Sequence, residues 1–287
     1  MKTEILNIKD ALARSADWLE KRGIGSARLD AEVLLGDVLG MSRLNLYLAW
    51  DKPLKEEEKA KYREFLKRRA EHEPVAYIIG RREFFSREFA VGPGALTPRP
   101  ETELLVEAAL SMMVEGDSLV ADVGTGSGVI AVTLALESPN LRVIATDISE
   151  AALEWARKNA AKHEVQDRLQ FLQCPLLANV EDALDGIISN PPYVAEADRA
   201  TLDADVLDHE PETALFAGPD GLDTIRQLIP AAAAKLKPGA FLAMEIGAGQ
   251  ANAVCAMLER DGRYEEIERH RDYSGIERII TARRKSA

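Results

Sequence analysis

Residues 190–193 read Asn-Pro-Pro-Tyr and directly follow an apolar run, IIS, at residues 187–189. Because proline lacks a backbone N–H and restricts the residue before it, a strand that reaches Asn190 must stop there in a rigid turn. This proline turn, residues 190–193, holds the carboxamide of Asn190 and the ring of Tyr193 in a nearly fixed relation. Taken alone, it is either a structural turn or a device that presents an amide and an aromatic ring to a ligand.

A glycine-rich segment, GTGSG at residues 124–128, follows a second buried strand and precedes an apolar helix. Gly124, Gly126 and Gly128 allow a tight turn and a close approach of a ligand to the backbone. The G-x-G-x-G spacing differs from that of dinucleotide folds, and no Lys-Ser/Thr pair follows, which argues against a phosphate-binding loop. Asp147 ends the next strand, where doubly wound sheets reach the ribose hydroxyls of a nucleoside. Together these features predict a nucleoside site, whereas the glycine loop alone could be only a strand–helix turn.

Two carboxylates border the predicted nucleoside site, Asp147 and Asp122, which precedes the glycine loop. They would repel a pyrophosphate and attract a cation, so S-adenosylmethionine, with its sulfonium and ammonium groups, fits better than NAD. The sequence leaves two roles open for Asp122, which are capping of the following helix and binding of the ligand's amine.

The proline turn would deliver Asn190 beside this methyl donor, because ligands of doubly wound sheets bind at the carboxyl ends of the strands. An amide NH2 is a poor nucleophile, since its lone pair is delocalised. The side-chain oxygen of Asn190 and the carbonyl of Pro191 can accept both N–H hydrogens, which aims the lone pair at the methyl group and stabilises the positive charge developing on nitrogen. Tyr193 can pack on the planar group. We therefore interpret the turn as a holder for a planar NH2 group, whose proton leaves to water afterwards.

Composition narrows the class of protein. The 287 residues include 36 basic and 48 acidic side chains, for a net charge of −12, so binding of nucleic acid would need a local basic patch. Cys174 and Cys255 show no metal-ligand or disulfide spacing, and we expect two reduced thiols and no metal site. Without a signal-peptide pattern or an apolar run of about 20 residues, we expect a cytoplasmic protein that does not enter a membrane.

Three segments are predicted along the chain. Residues 1–74 show helical periodicity and are predicted to form a small N-terminal helical bundle. Residues 75–97 alternate as strands do around RREFFSREFAV and are predicted to form a β-hairpin that links two domains. Residues 98–287 alternate strand and helix and end in two strand-like runs with only a loop between them. The last segment is therefore predicted to be an α/β domain, with a doubly wound, mostly parallel seven-stranded sheet and an antiparallel C-terminal hairpin.

The elements of the predicted sheet domain before the hairpin are strands at residues 119–123, 142–147, 169–172, 186–190 and 240–246, and helices at 101–113, 128–137, 149–163, 221–236 and 249–260.

Several segments resemble the HemK/PrmC family of bacterial peptide chain release factor glutamine N5-methyltransferases, and together they extend over nearly the whole chain. They are EPVAYIIGRREFF, LTPRPETELLVE, DVGTGSGVIAV, ATDIS, SNPPYV, HEPETALFAGPDGLD and RDYSGIERIITAR. Glycine loops and NPPY recur among many methyltransferases, whereas TPRPETE and EPETALFAGPDGL are far more specific to this family. The resemblance implies a class I methyltransferase fold, S-adenosylmethionine as cofactor and class 1 release factors as protein substrates. Its reaction methylates the side-chain amide of the glutamine in the GGQ motif.

The same resemblance assigns roles to individual residues. It implies contact of the glycine loop and Asp147 with S-adenosylmethionine, while the proline turn holds the substrate amide. It also implies ordering of the pocket by Arg99, Pro100, Glu101 and Thr102, for which an interdomain turn is the alternative. The predicted cofactor residues are Gly124, Thr125, Gly126, Ser127, Gly128, Asp147, Leu176 and Asn190, the predicted substrate residues are Asn190, Pro191, Pro192 and Tyr193, and the predicted catalytic residues are Asn190, Pro191 and Tyr193.

The chain departs from the family pattern at two places. Pro175 and Leu176 stand after the third strand of the sheet domain, where the family often has an acid and an aromatic residue. Leu176 can still pack against adenine, but recognition by an acid is lost at that position. Thr97 replaces the more usual isoleucine, a change expected to be minor.

Two other functions stay open at the level of sequence. A nucleic-acid adenine-N6 methyltransferase also acts on a planar NH2 group, but it would normally need a basic groove and base-flipping elements. The acidic net charge and the lack of a long target-recognition insert count against it. A non-catalytic nucleoside-binding protein would leave Asn190 dispensable. A protein substrate, in turn, predicts a contact between the helical domain and the release factor.

Overall fold

The computed structural model describes residues 6–113, 116 and 118–286. Its contacts divide the chain into two compact units. The helical unit comprises the chain up to Gly80 and the inserted segment Asp203–His209, and the sheet unit comprises Arg81–Leu202 and the chain from Glu210 onward. Within the described part of the chain, no helix combines the length and the apolar character that crossing a membrane requires.

Six helices make up the described part of the helical unit. They are α1 (Ile8–Glu20), α2 (Ala27–Leu39), α3 (Arg43–Leu48), α4 (Glu56–Ala70), α5 (Val75–Ile79) and, from the inserted segment, α9 (Ala204–His209). Asn7 and Ser42 cap α1 and α3 by accepting backbone hydrogen bonds, and Gly40 ends α2 with a left-handed φ of 62°. The apolar stripes of the helices meet in one core, which includes Ile8, Leu12, Leu19, Leu34, Leu35, Leu46, Tyr62 and Phe65.

A buried arginine explains why Asp203–His209 belongs to the helical unit. The side chain of Arg69 is 4% exposed and forms two ion pairs, with Asp30 Oδ2 at 2.6 Å and with Asp205 Oδ2 at 2.7 Å. A buried guanidinium is costly unless carboxylates pair with it. Asp205, in the inserted segment, supplies one of the two carboxylates that pair with Arg69 of α4.

The predicted hairpin forms, but over fewer residues than the 75–97 segment. Its strands are β1 (Arg81–Phe84) and β2 (Arg87–Ala90), which pair antiparallel. The preceding residues, Val75–Ile79, form α5 instead. The proline before this helix and the left-handed glycine after it are ordinary helix boundaries, and they outweigh the strand-like composition of VAYII.

The sheet unit contains one seven-stranded sheet, in the order β5-β4-β3-β6-β7-β9-β8. Its strands are β3 (Ser118–Val123), β4 (Leu141–Asp147), β5 (Leu169–Gln173), β6 (Leu184–Ser189), β7 (Leu236–Glu245), β8 (Tyr264–Arg271) and β9 (Glu277–Arg284), and its α-helices are α6 (Thr102–Met112), α7 (Val129–Glu137), α8 (Glu150–Lys162), α10 (Asp223–Lys235) and α11 (Ala251–Asp261). Strands β3 to β7 are parallel, and β8 and β9 are antiparallel. The predicted fold class is confirmed, and the carboxyl ends of β3, β4, β6 and β7 meet at one edge.

Strand β6, which leads into the proline turn, is buried on both faces. Ile187 packs into one hydrophobic cluster and its neighbour Ile188 into the other, as the alternation of a strand requires. With both faces covered, β6 delivers the residue after Ser189 to a fixed place at the carboxyl edge of the sheet.

Candidate active site

The glycine loop is held to the end of β4 through its backbone. The N–H groups of Gly124 and Thr125 both donate to the carbonyl of Thr146, each at 2.9 Å, and the N–H of Gly126 donates to Asp147 Oδ2 at 2.9 Å. Gly126 has a φ of 56°, and a Cβ added there would meet no protein atom within 4 Å. The space beside this glycine is therefore open to a ligand.

Asp122 lies beneath the glycine loop and is fully buried. Its Oδ2 accepts hydrogen bonds from Thr125 Oγ1 at 2.6 Å and from the N–H of Ala131, in the first turn of α7, at 3.1 Å. Burial raises the pKa of Asp122 to about 7, although both hydrogen bonds oppose the rise. Of the two roles left open by the sequence, these contacts favour support of the loop and of the helix start.

Asp147 ends β4 with its carboxylate bound by backbone N–H groups. Its Oδ2 receives the hydrogen bond from Gly126, and its Oδ1 accepts another from Ser149 at 2.9 Å. Burial raises the pKa of Asp147, and these backbone donors oppose the rise. These two hydrogen bonds fix the orientation of the Asp147 carboxylate at the end of β4.

The proline turn lies beside the glycine loop because β6 pairs with β3. Val123 is opposite Ser189 in that pairing, and Ser189 Oγ donates to the carbonyl of Val123 at 2.7 Å. The backbone oxygen of Asn190 lies 3.9 Å from the position that a Cβ on Gly124 would take. The structure thus brings together the two motifs that the sequence singled out.

Side-chain hydrogen bonds connect the proline turn to two other elements. Asn190 Nδ2 donates to Thr102 Oγ1 at 3.1 Å, Thr102 Oγ1 donates to Glu245 Oε2 at 2.7 Å, and Tyr193 OH donates to Glu245 Oε1 at 3.2 Å. Thr102 begins α6, and Glu245 ends β7. Burial raises the pKa of Glu245, and burial together with the carboxylate of Glu245 raises the pKa of Tyr193.

These elements surround a cavity of about 240 Å³ at the carboxyl edge of the sheet. Among the described residues that line it, Asp147 is the one with a charged side chain. A mostly apolar cavity with one carboxylate suits a cationic ligand better than a polyphosphate, so the residues fit S-adenosylmethionine. The predicted site residues that line the cavity are Gly124, Gly126, Asp147, Leu176, Asn190, Pro191 and Pro192.

Four other predicted site residues lie near the cavity without lining it. Thr125 donates to the buried carboxylate beneath the loop, and the carbonyl of Ser127 accepts a hydrogen bond from Asn159 Nδ2 at 2.8 Å. A Cβ on Gly128 would lie 2.9 Å from the backbone of α8. The close packing of α7 on α8 therefore explains the glycine at this position without any contact to a ligand. Tyr193 is engaged by Glu245. Ligand contact by these four residues stays a prediction.

The segment after β5 reaches the cavity despite its departure from the family pattern. Cys174, Pro175 and Leu176 all line it, and the N–H of Cys174 donates to the carbonyl of Asp147 at 3.0 Å. Leu176 has a φ of 47°, in the left-handed region that a leucine rarely adopts. The backbone turns there, and Pro175 and Leu176 border the cavity where the family often has an acid and an aromatic residue.

The two most family-specific motifs are joined by an ion pair. Arg99 Nη2 lies 2.6 Å from Oε2 of Glu210, whose side chain is 1% exposed, and the N–H of Thr97 donates to the other oxygen of Glu210 at 3.4 Å. Burial raises the pKa of Glu210, and Arg99 opposes the rise. This pair fixes the segment before α6 to the HEPET segment, whose Pro211 and Thr213 line the cavity.

Sequence reasoning missed Glu245 as a site residue. It occupies the same place in its strand as Asp147 does in β4, at the carboxyl end of a buried run, FLAME. That signal was available, because an acid that ends a buried parallel strand faces the edge where ligands bind. The partner of Glu210, by contrast, could not be identified from sequence, since Arg99 lies 111 residues away.

Comparison with known proteins decides the family. Residues 10–80 match the family model of the PrmC N-terminal domain, and residues 100–214 match that of the methyltransferase small domain. A release factor glutamine methyltransferase from Geobacter sulfurreducens is 40% identical over 283 residues, which cover 98% of this chain and 98% of that protein. The chain belongs to the release factor glutamine methyltransferase family.

Another member of the release factor glutamine methyltransferase family, from Cereibacter sphaeroides, is 41% identical and is matched over 97% of this chain and 99% of its own length. A solved structure described as a methyltransferase from Pyrococcus furiosus covers 81% of this chain and 100% of its own, with a TM-score of 0.53 and 18% identity. At that identity the likeness shows the fold alone. The family predicted from the sequence motifs is confirmed.

Proposed function

We propose that the protein transfers a methyl group from S-adenosylmethionine to the side-chain nitrogen of the GGQ glutamine in class 1 peptide chain release factors. The observation that carries the proposal is the meeting of the glycine loop and the proline turn at one cavity, with Asn190 at their junction. The names of the relatives support release factors as the substrate class, and we assign the reaction to the cytoplasm because translation factors work there.

The cofactor side of the proposal rests on the glycine loop, Asp147 and Leu176. S-adenosylmethionine, when bound, supplies a methyl group activated by its sulfonium. The open backbone at Gly126 allows close approach, the carboxylate of Asp147 can accept hydrogen bonds from ribose hydroxyls, and Leu176 offers an apolar surface to adenine. No basic side chain is found among the described lining residues, so no positive charge in the lining repels this cationic ligand.

The substrate side rests on the proline turn. Asn190 Oδ1 and the carbonyl of Pro191 would accept the two N–H hydrogens of the glutamine amide. Held in this way, the nitrogen keeps its lone pair directed at the methyl group, and the two oxygens stabilise the positive charge that develops on it. Transfer would form the N–C bond as the bond from the methyl group to sulfur breaks, and one amide proton would leave to water. Alignment contributes on the order of several kcal/mol to lowering the barrier.

The test is methyl transfer from labelled S-adenosylmethionine to a purified class 1 release factor. We expect label in the factor, none in a matched factor whose GGQ glutamine is replaced, and none in DNA or RNA. Transfer to adenine in nucleic acid, with no transfer to the release factor, would instead support the adenine-N6 alternative.

We also propose that the helical unit contributes to binding of the intact release factor. Leu44 and Leu48 lie one turn apart on α3 and are 68% and 77% exposed, which makes them the apolar side chains of α3 available to such a contact. In the full chain, Leu44→Ser combined with Leu48→Ser should raise KM for the intact factor and leave donor affinity unchanged. A short GGQ peptide is the matched control, because its KM should not change; an equal rise for peptide and factor would contradict this contact.

A further inference from the structure

One carboxylate organises both polar side chains of the proline turn. Glu245 is 1% exposed and accepts hydrogen bonds from Thr102 Oγ1 at 2.7 Å and from Tyr193 OH at 3.2 Å. Thr102 in turn accepts a hydrogen bond from Asn190 Nδ2 at 3.1 Å. The three bonds form a single connected chain that runs from the hydroxyl of Tyr193 through Glu245 and Thr102 to the carboxamide of Asn190.

The ionised form of Glu245, which the hydrogen bonds from Thr102 and Tyr193 and the charge of Arg278 favour and burial opposes, sets the direction of the donors along this chain. An ionised carboxylate can only accept hydrogen bonds, so the hydroxyl of Thr102 must give its single proton to Glu245. The oxygen of that hydroxyl then has lone pairs but no proton to offer to Asn190. The side of the carboxamide that faces Thr102 must therefore be the NH2 group.

This direction matters because a carboxamide has two ends of opposite character. With Nδ2 bound to Thr102, the opposite end, Oδ1, is left for the cavity that Asn190 lines. A carboxamide turned by 180° would present its own NH2 group to the NH2 group of a substrate. Two donors would then face each other, and the oxygen that should stabilise the developing positive charge would be absent.

We propose that Thr102 and Glu245 are positioning residues that set which end of the Asn190 carboxamide faces the substrate amide. The inference rests on the proposed function and adds to it a cause for the orientation of Asn190. Glu245 also fixes the hydroxyl of Tyr193, so the same buried group sets the ring at the far end of the turn. Both residues are buried, Thr102 at 3% exposure, and they act on the reaction through Asn190 and Tyr193.

The first test compares Thr102→Val with Thr102→Ser. Valine keeps the shape of threonine but lacks the hydroxyl, whereas serine keeps the hydroxyl and lacks only a methyl group. For methylation of the release factor, we expect Thr102→Val to lower kcat about 10-fold or more, while Thr102→Ser stays within about 3-fold of the wild type. The affinity of both variants for S-adenosylmethionine should match that of the wild type, whereas the melting temperature of Thr102→Val should be lower, because a buried carboxylate loses a donor.

The second test observes the carboxamide directly, without turnover. The side-chain NH2 resonances of Asn190, assigned by their loss in Asn190→Ala, should report the hydrogen bond to Thr102 in the wild type and in Thr102→Ser. In Thr102→Val they should move toward the shifts of an unbonded amide. Glu245→Ala, which removes the acceptor that orients Thr102, should shift them as well.

The outcomes separate the two proposals. If the wild type transfers no methyl group to the release factor, the proposed function fails, and the NMR comparison still tests the orientation of Asn190. If the wild type is active and Thr102→Val keeps its kcat, or if Thr102→Ser loses as much as Thr102→Val, the positioning role is overturned. Unchanged Asn190 resonances in Thr102→Val would overturn it independently.

Discussion

The two sides of the cavity hold their polar groups by different means. On the loop side, formed by the glycine loop and Asp147, the contacts run from backbone N–H groups to the carbonyl of Thr146 and to one carboxylate. On the turn side, formed by the proline turn with Thr102 and Glu245, the contacts run between side chains. Backbone contacts can be made by many sequences, whereas the side-chain contacts need particular residues.

We expect the loop side to determine binding of the methyl donor and the turn side to determine the methyl-transfer step. The loop side resembles a general device for a nucleoside ligand, and its motif occurs among many methyltransferases. The proposed role of the turn side, which is to hold a planar NH2 group, depends on one carboxamide with a set orientation. Substitutions on the loop side should therefore change donor affinity or stability, and those on the turn side should change turnover.

The largest expected effect is that of Asn190→Ala on the turn side. Removing the oxygen that stabilises the developing charge should lower kcat by roughly 100- to 1,000-fold. The affinity for S-adenosylmethionine, measured by calorimetry, should stay within about 3-fold, since the glycine loop and Asp147 are intact. Near-normal turnover would contradict the division between the two sides.

Asp122→Asn tests the support beneath the loop side through pH. The folded pKa of Asp122 is raised from 3.8 to about 7, so between these values the folded state binds a proton that the unfolded state lacks. The contribution of this group to stability is therefore present at low pH and is lost as pH rises toward and through 7. From about pH 4 to about pH 8, urea unfolding should show a decline in the free energy of unfolding that is about 4 kcal/mol smaller in Asp122→Asn than in the wild type. Equal declines would assign the pH dependence to other groups.

Asp147→Asn sharpens the comparison because it alters charge on the loop side with little change of shape. We expect S-adenosylmethionine to bind about 10-fold more weakly, since a charge-assisted acceptor becomes a neutral amide. At saturating donor, kcat should be within about 3-fold of the wild type. A large fall in kcat at saturation would mean that Asp147 also acts on the chemical step.

The smallest effect is expected from Leu176→Ala, which removes apolar surface from the loop side. Loss of part of one apolar contact should weaken donor binding by about 3- to 5-fold and leave kcat unchanged. Equilibrium binding of S-adenosylmethionine and of a deaminated analogue of its adenine ring would show whether the lost contact involves that ring. An unchanged affinity would remove Leu176 from the cofactor site.

The sheet unit was predictable because its signals are local. The parallel strands are short apolar runs that end at a glycine, an acid or a proline-containing turn, and the helices between them are long and periodic, so the elements fall within a few residues of their predicted bounds. The meeting of the glycine loop with the proline turn followed from topology, since both end parallel strands. Within the segment predicted as a hairpin, residues 75–79 form a helix, because a short apolar run can be helix or strand and only its flanking proline and glycine distinguish the two.

The turn-side contacts could not be predicted in the same way. Thr102 and Glu245 are separated by 143 residues, and Asn190 lies between them in sequence. Which of the many acids and hydroxyls pair is decided by the packing of α6 against β7, which no local pattern encodes. The inserted segment Asp203–His209 shows the same limit, because its place in the helical unit depends on Arg69.

The ion pair between Arg69 and Asp205 means that the two units cannot be divided by a single cut. The polypeptide passes from one unit to the other at Gly80, at Leu202 and at His209. A recombinant fragment ending at Gly80 would lack Asp205, so the buried guanidinium of Arg69 would pair with one carboxylate instead of two. A fragment beginning at Arg81 would contain α9 without the other helices of its unit. A fragment that is meant to keep both ion pairs of Arg69 must therefore contain the inserted segment together with the N-terminal helices.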